Sequence, residues 1–395
     1  MLKGSKLGAM DFRLSPAQQA LKEEVCRWLA QETGASHDTD PVPVPPGYLH
    51  HRDLERKMGE RGWLAVSWPP EYGGQGRPVL DQFLVEEEMA LHGAPASDAL
   101  GRTIIAPMIM AFGSEEQKRR HLPAMARGEE VWCLGYTEPE AGSDLASAQT
   151  RAEAHGDVYR IYGRKVYTSG AEDADYCLLV ARTDPEAPKH RGISLLLVPM
   201  RVPGVTVRPL YNLLGLHWFN EVIFDGVEVS RQACLGEENK GWQILTSALG
   251  VERITVYRVF LHWRLFQGLL RWARGRHLGP LRALARQRLA DLAIGFEVAR
   301  LLLYRAVDAY GRGEDFRAKA AMVKLFNSEL AQRLYQVAVG LLGPYGALRE
   351  GSPWAVWSGA VAHGYLSAVQ ETIGAGTSEV QRDLIALRGL GLPRG

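Results

Sequence analysis

The sequence is poor in cysteine, in lysine and in long apolar runs, and each shortage excludes something. Its 395 residues carry four cysteines, Cys26, Cys133, Cys177 and Cys234, scattered with no C-x-x-C pair. That spacing encodes no disulfide framework and no metal site, and it reads as reduced, apolar cysteines of a cytoplasmic protein. Only ten of the 46 basic residues are lysine, and the net charge is +1. Without a basic excess, nucleic acid is not an expected partner. No apolar run approaches the roughly 20 residues a membrane helix needs, so no membrane span is expected, and no signal peptide is visible. The histidines show no ligand spacing: His50, His51, His217 and His363 read as surface or structurally satisfied residues.

What is present is a chain long enough for two or three domains, and its patterning changes twice. Residues 1–9 form a polar stretch before Met10 and read as a leader or tag. From 10 to 130 the period is helical. Ser15-Pro16-Ala17-Gln18 is a capping box with proline at the first helical position, and Leu21, Val25, Trp28 and Leu29 follow at helical spacing as a buried face. A proline-rich connection at Pro41–Gly47, a helix at His51–Gly62, an irregular Trp68–Gly74 loop and helices through Leu80–Phe112 come next. Ser114-Glu115-Glu116-Gln117 caps a last helix.

From 131 to 241 the runs shorten. Val158–Tyr162 and Val166–Tyr167 flank a Gly163-Arg164 turn, and Tyr176–Ala181, Ile193–Val198, Val205–Val207 and Glu221–Phe224 are strand-like. From 242 to 395 the segments Trp242–Arg274, Leu281–Tyr310 and Arg317–Leu342 are long enough for a helical bundle. The predicted class is α+β: an all-α N-terminal domain, a small antiparallel β domain in the middle, and a C-terminal bundle.

Four stretches could carry chemistry. Between the first two regions, Thr137-Glu138-Pro139-Glu140-Ala141-Gly142-Ser143-Asp144 cannot be regular structure. It offers hydroxyls at Thr137 and Ser143 and unpaired backbone N–H groups; the alternative is a plain connecting loop. Lys165-Val166-Tyr167-Thr168-Ser169-Gly170 sets an aromatic and two hydroxyls at a strand end, where the ring either covers a flat ligand or simply packs. Gly374-Ala375-Gly376-Thr377-Ser378-Glu379-Val380-Gln381 leads flexible glycines into a helix start, with Ser378 and Gln381 spaced as a capping box. Glu252 interrupts an apolar stripe formed by Leu245, Leu249, Val256 and Phe260. A carboxylate buried there would be tuned toward acid–base work, unless Arg253 or another cation makes it a structural ion pair.

In combination and in order, these stretches resemble the acyl-CoA dehydrogenase family over almost the whole chain from Met10. Phe224–Val229, Gly236–Trp242, Glu252-Arg253 and Gly376–Arg382 add to the likeness. The resemblance implies a helical domain, a β domain and a C-terminal four-helix bundle, with FAD held where they meet and an acyl-CoA thioester against it. Leu134, Tyr136, Thr137 and Ser143 are then expected to contact the flavin or the pantetheine arm, with Ser143 also touching substrate. Tyr167, Thr168 and Ser169 are expected to cover the ring. Thr377 and Glu379 are expected to meet the cofactor, and the Gly376 backbone and Arg253 the substrate.

Three departures stand out. The family usually has tryptophan at Tyr167. Its Arg-x-x-Phe-Gly run is represented only by Gly275-Arg276-His277-Leu278-Gly279, with Gln287 offset by a residue and Gly340 in place of a second glutamine. Many members carry the catalytic glutamate where Ala375 stands. In the isovaleryl-CoA and long-chain branches the glutamate instead precedes the arginine of the bundle's first helix, which is Glu252 before Arg253 here. The implied reaction is α,β-dehydrogenation, with Glu252 taking the α-proton, hydride passing to flavin N5, and an electron-transfer flavoprotein as acceptor. The acyl pocket is expected between the Ile104–Phe112 helix and the Glu252 helix, walled by Ile105, Met108, Ile109 and Met110 and bounded by Tyr257. A homodimer, homotetramer or heterotetramer is implied. Open alternatives are a subunit that needs a homologous partner, a flavoenzyme acting on a carrier-bound or nitrogen-containing substrate, and a cofactor-free helical scaffold.

Overall fold

The computed structural model describes residues 12–41, 52–94, 100–254, 256–276, 279 and 282–393, except the side chains of 247–249, 251, 252, 256 and 257. The 1–9 leader, the proline-rich connection beyond Pro41, and His50, His51, His277 and Leu278 lie outside the described residues.

The N-terminal region contains α1 (Pro16–Thr33), α2 (Arg52–Glu60), α3 (Val79–Leu91), α4 (Ala106–Phe112) and α5 (Glu115–Ala126), with a π-helical turn at Gly101–Ile105 leading into α4. Both predicted capping boxes form, at Ser15–Gln18 and Ser114–Gln117. Leu21, Val25, Trp28 and Leu29 are the buried face of α1, packed with Met58, Trp63, Leu64, Val85 and Met89. Each such aliphatic side chain taken fully from water contributes about 1.5–3 kcal/mol.

The middle region is one seven-stranded sheet: β1 (Trp132–Gly135), β2 (Arg151–His155), β3 (Val158–Ser169), β4 (Tyr176–Arg182), β5 (Ile193–Pro199), β6 (Val205–Tyr211) and β7 (His217–Ser230). The order is β1-β4-β2-β3-β7-β6, with β5 also on β4. Most pairs are antiparallel, as expected, but β1 and β2 each run parallel to β4. The predicted Gly163-Arg164 turn does not exist, because β3 runs straight through it. Gly163 takes a φ of 153°, and a Cβ there would lie 2.5 Å from Thr150 Oγ1, so the glycine serves close passage along the strand.

The C-terminal region contains α6 (Gly241–Glu252), α7 (Val256–Arg274), α8 (Arg282–Gly311), α9 (Arg317–Leu342), α10 (Ala360–Glu371) and α11 (Ser378–Leu384). The predicted single segment Trp242–Arg274 is two helices, broken at Arg253-Ile254. The stripe from Leu245 to Phe260 therefore does not run along one helix. Leu245 belongs to a core shared with Ile104, Ile105, Met108 and Ile109, whereas Ile254 and Phe260 belong to the bundle core with Phe296 and Leu334. The chain leaves the helix where it passes from one core to the other.

Candidate active site

The Thr137–Asp144 loop is anchored by a residue whose role the sequence did not disclose. Glu138 accepts from the backbone N–H groups of Gln149 (2.6 Å) and Thr150 (2.8 Å) and from Lys165 Nζ (2.7 Å). Lys165 is 0% exposed and also donates to the Tyr136 carbonyl oxygen at 3.1 Å. Burial works to raise the Glu138 pKa, but the Lys165 ammonium and the two N–H donors outweigh it and hold the carboxyl below its ordinary range. Glu138 and Ala141 exchange two backbone hydrogen bonds of 3.1 Å, closing the loop on itself. Gly142 and Ser143 are exposed, and Gly142 does not use a left-handed φ.

This anchoring sets the loop beside the end of β3. Val166 N–H donates to the Thr137 carbonyl at 2.9 Å, and immediately afterward Tyr167 takes a φ of 56°. A bulge lies there, since Lys165 pairs with Val222 but Thr168 with Asn220. It turns the Tyr167 ring outward to 64% exposure, edge-on to Phe219 at 6.0 Å. Asn220 is fully buried and its amide donates to the Thr168 carbonyl at 3.1 Å. The structure thus brings Tyr136 and Thr137 together with Tyr167, Thr168 and Ser169.

Strand alternation puts Trp218 on the same face of β7 as Asn220, and its ring meets His363 of α10 at 5.6 Å. Arg349 donates to the Leu214 carbonyl at 2.5 Å, a second tie between the sheet and the bundle. Thr168 Oγ1, Trp218 Nε1 and His363 Nε2 are buried with no hydrogen-bond partner among the described residues. Orphaned polar atoms of this kind are costly unless a ligand meets them. Unsatisfied polar atoms gathered where the sheet meets the bundle fit the heteroatom edge of the flavin of FAD.

The closing loop is built differently from its predicted form. Thr377, not Ser378, is the N-cap of α11, accepting from Val380 N–H at 3.3 Å. Gln381 is not available for a capping box because its amide is turned back into the loop, donating to the carbonyls of Ala375 (3.2 Å) and Gly376 (3.0 Å). Ser378 Oγ and Gln381 Oε1 are left buried with no partner among the described residues. Ala375 takes a φ of 54° and Gly376 of 85°; a Cβ on Gly376 would lie 2.6 Å from Gln381 Nε2. Glu379 is exposed in the first turn of α11.

Glu252 closes α6, and its side chain lies outside the described residues, as does that of Tyr257. Arg253 beside it is buried at 9% exposure. Ile105, Met108 and Ile109 are each at most 1% exposed and pack with Ile244 and Leu245 of α6, so they form core between the two helices expected to wall the acyl pocket. Another carboxylate near the closing loop is already committed. Glu371, at the end of α10, is bonded by His262 Nε2 at 3.0 and 3.1 Å and approached by Arg258 at 3.7 Å. Burial pushes its pKa up, and His262, Arg258 and Lys324 together bring it below the ordinary value.

Sequence models of three acyl-CoA dehydrogenase domains match in chain order, the N-terminal domain over residues 15–129, the middle domain over 133–227 and the C-terminal domain over 239–390. Acyl-CoA dehydrogenase FadE26 of Mycobacterium tuberculosis is 37% identical over 355 residues, 87% of this chain and 88% of its own. The Tcur3481–Tcur3483 steroid ACAD superposes with a TM-score of 0.89 at 35% identity, covering 98% of this chain and 100% of that one. The ChsE4–ChsE5 complex from Mycobacterium tuberculosis gives a TM-score of 0.83 at 35% identity, with 98% and 100% covered. With that fold, that loop arrangement and those relatives, the chain belongs to the acyl-CoA dehydrogenase family and is a flavin oxidoreductase whose cofactor is FAD.

Proposed function

We propose that the chain carries out α,β-dehydrogenation of an acyl-CoA thioester with Glu252 as the base for the α-proton. The observation that carries this reading is the closing loop. It presents the methyl of Ala375, while Glu371 is bound by His262 and Arg258 and Glu379 is exposed. Neither acid of that segment is suited to the task, so the carboxylate of the Glu252-Arg253 pair is the base.

The α-proton beside a thioester is a weak acid, and its removal needs stabilisation of the charge growing on the carbonyl oxygen. Backbone N–H at Gly376, preorganised by the Gln381 amide, donates to that oxygen. Glu252 accepts the proton and Arg253 orients the carboxylate. Tyr167, Thr168 and Ser169 hold the ring side of the cofactor, Leu134, Tyr136, Thr137 and Ser143 its other contacts, and Thr377 and Glu379 meet it from α11. Bound FAD supplies the two-electron oxidising power. An electron-transfer flavoprotein is the proposed acceptor, and the cytoplasm the proposed compartment.

Assembly with further subunits completes the proposal. Ile294, Val298 and Leu301 lie exposed at helical spacing on α8, a stripe that a partner helix would cover. Two similar structures carry the names of two different chains, which favours a heterotetramer with a homologous subunit over the homodimer or homotetramer. The steroid ACAD relative also puts ring-bearing acyl-CoAs first among substrates to try.

The test is anaerobic addition of short, branched, long and ring-bearing acyl-CoAs to the FAD-loaded protein, with and without the homologous subunit. Loss of the visible flavin band with at least one acyl-CoA is expected. A flavin that no free acyl-CoA bleaches, but that a carrier-protein thioester does, would replace this reading with a carrier-directed flavoenzyme.

A further inference from the structure

Away from the flavin-facing loops, the N-terminal domain gathers a thiol, two imidazoles and a carboxylate that the reaction does not use. Cys26 lies on α1, His37 on the segment after it, Glu88 on α3, and His92 at the C-terminal cap of α3. One donor atom from each lies within 4.8 Å of every other. His37 Nε2 is 2.8 Å from Glu88 Oε2, Cys26 Sγ is 3.7 Å from His92 Nε2, and the two imidazoles meet edge to face at 4.8 Å. Donors bound about 2.0–2.3 Å from a tetrahedral zinc stand roughly 3.3–3.8 Å apart, so small side-chain adjustments suffice to surround one ion.

The details around the four residues favour an ion. His92 Nδ1 is 2.8 Å from the Glu88 main-chain carbonyl, and a proton donated there leaves the Nε2 lone pair facing the Cys26 thiol. Ligating histidines are commonly fixed in this way, through their second nitrogen. Glu88 is 0% exposed, and its Oε1 accepts no hydrogen bond among the described residues. Lys22 Nζ lies 3.4 Å from that oxygen and is itself bound to Glu87, while Oε2 is the oxygen on the imidazole side, 2.8 Å from His37 Nε2 and 3.7 Å from His92 Nδ1, where a metal would take the place of the His37 hydrogen bond. His37 is exposed and Cys26 half-buried, which opens a path from solvent. A hydrogen-bonded network alone would explain His37 with Glu88, but it gives the Cys26 thiol only a weak contact.

We propose that Cys26, His37, Glu88 and His92 form a four-coordinate zinc site that fastens α1 and the segment after it to α3. Protein donors fill all four positions, which makes the site structural. Binding releases the thiol proton. The segment it would pin also braces the bundle: Arg271 donates to the Thr39 carbonyl at 3.3 Å and Arg264 to the Asp40 carbonyl at 3.3 Å. Pro41 packs so closely on α7 that a Cβ added to Gly268 would meet it at 2.6 Å.

The test takes the FAD-loaded full chain, stripped with a chelator and re-equilibrated with Zn²⁺ or Co²⁺. Expected are one zinc per chain by elemental analysis, and intense tetrahedral cobalt absorption at wavelengths beyond the flavin bands. Cys26→Ser should shift and weaken that absorption, and His92→Ala should lower zinc affinity by at least roughly tenfold. His37→Ala gives the same readout at an exposed position, with the unfolding midpoint and FAD content measured alongside because Glu88 loses a hydrogen-bond partner. Zinc well below one per chain, or an affinity unchanged in both Cys26→Ser and His37→Ala, would overturn the site.

Discussion

The two loops proposed to face the flavin are fastened in opposite ways. The Thr137–Asp144 loop is tied to the sheet by a buried charge pair, with Glu138 satisfied by Lys165 and two backbone N–H groups. The Gly374–Thr377 loop is tied by neutral groups, the Gln381 amide and backbone bonds from Gly374 N–H to Gln370 and from Ser378 N–H to Thr372, and carries a left-handed alanine. Charge in a low-dielectric interior fixes geometry strongly and fails badly when one partner is lost, whereas a neutral amide holds with modest energy. The loop beside β3 is therefore the rigid reference, and the closing loop is the part with room to give.

The largest effect should come from breaking the rigid side. Lys165→Met strands the Glu138 carboxylate, and a loss of about 3–5 kcal/mol in denaturant unfolding is expected, with loss of bound FAD. Acid probes the same pair without mutation. Because the native Glu138 carboxyl titrates below its ordinary value of 4.5, the unfolded chain binds the extra proton first as pH falls. Its contribution is complete above that value and disappears as pH drops through the native pKa. Unfolding followed from neutral pH into acid should show this slope, and Glu138→Gln should flatten it.

On the compliant side the effects should be smaller. Gln381→Leu removes the bonds to two loop carbonyls and should cost about 1–3 kcal/mol, with a fall in kcat that exceeds any change in FAD retention. Ala375→Gly relieves the φ of 54° and should stabilise the protein by up to about 1 kcal/mol, read as a raised denaturant midpoint. If Ala375→Gly destabilised the protein instead, the closing loop would not be strained as described.

Much of this architecture was legible in the sequence, for reasons that differ by element. Ser15–Gln18 and Ser114–Gln117 were readable because a capping box is a local, reciprocal pattern, and both formed. The α, β, α order followed from the change of period. The break at Arg253-Ile254 was hidden because an apolar stripe looks the same whether it serves one core or two. Gly163 reads as a turn in the sequence, although here it marks a strand squeezed past a neighbour, because glycine serves both. The Glu138–Lys165 pair joins residues 27 apart, and no periodicity reports on such a contact. At α11 the spacing of Ser378 and Gln381 was genuine, but the loop carbonyls compete for the same amide and win.

The central claim is that the α-proton leaves to Glu252, and single-turnover kinetics test it most directly. The rate of anaerobic flavin bleaching by a reactive acyl-CoA should fall about 10²–10⁴-fold in Glu252→Gln, with FAD content and acyl-CoA affinity retained. Bleaching at the wild-type rate in that variant would contradict the account and move the base to another residue.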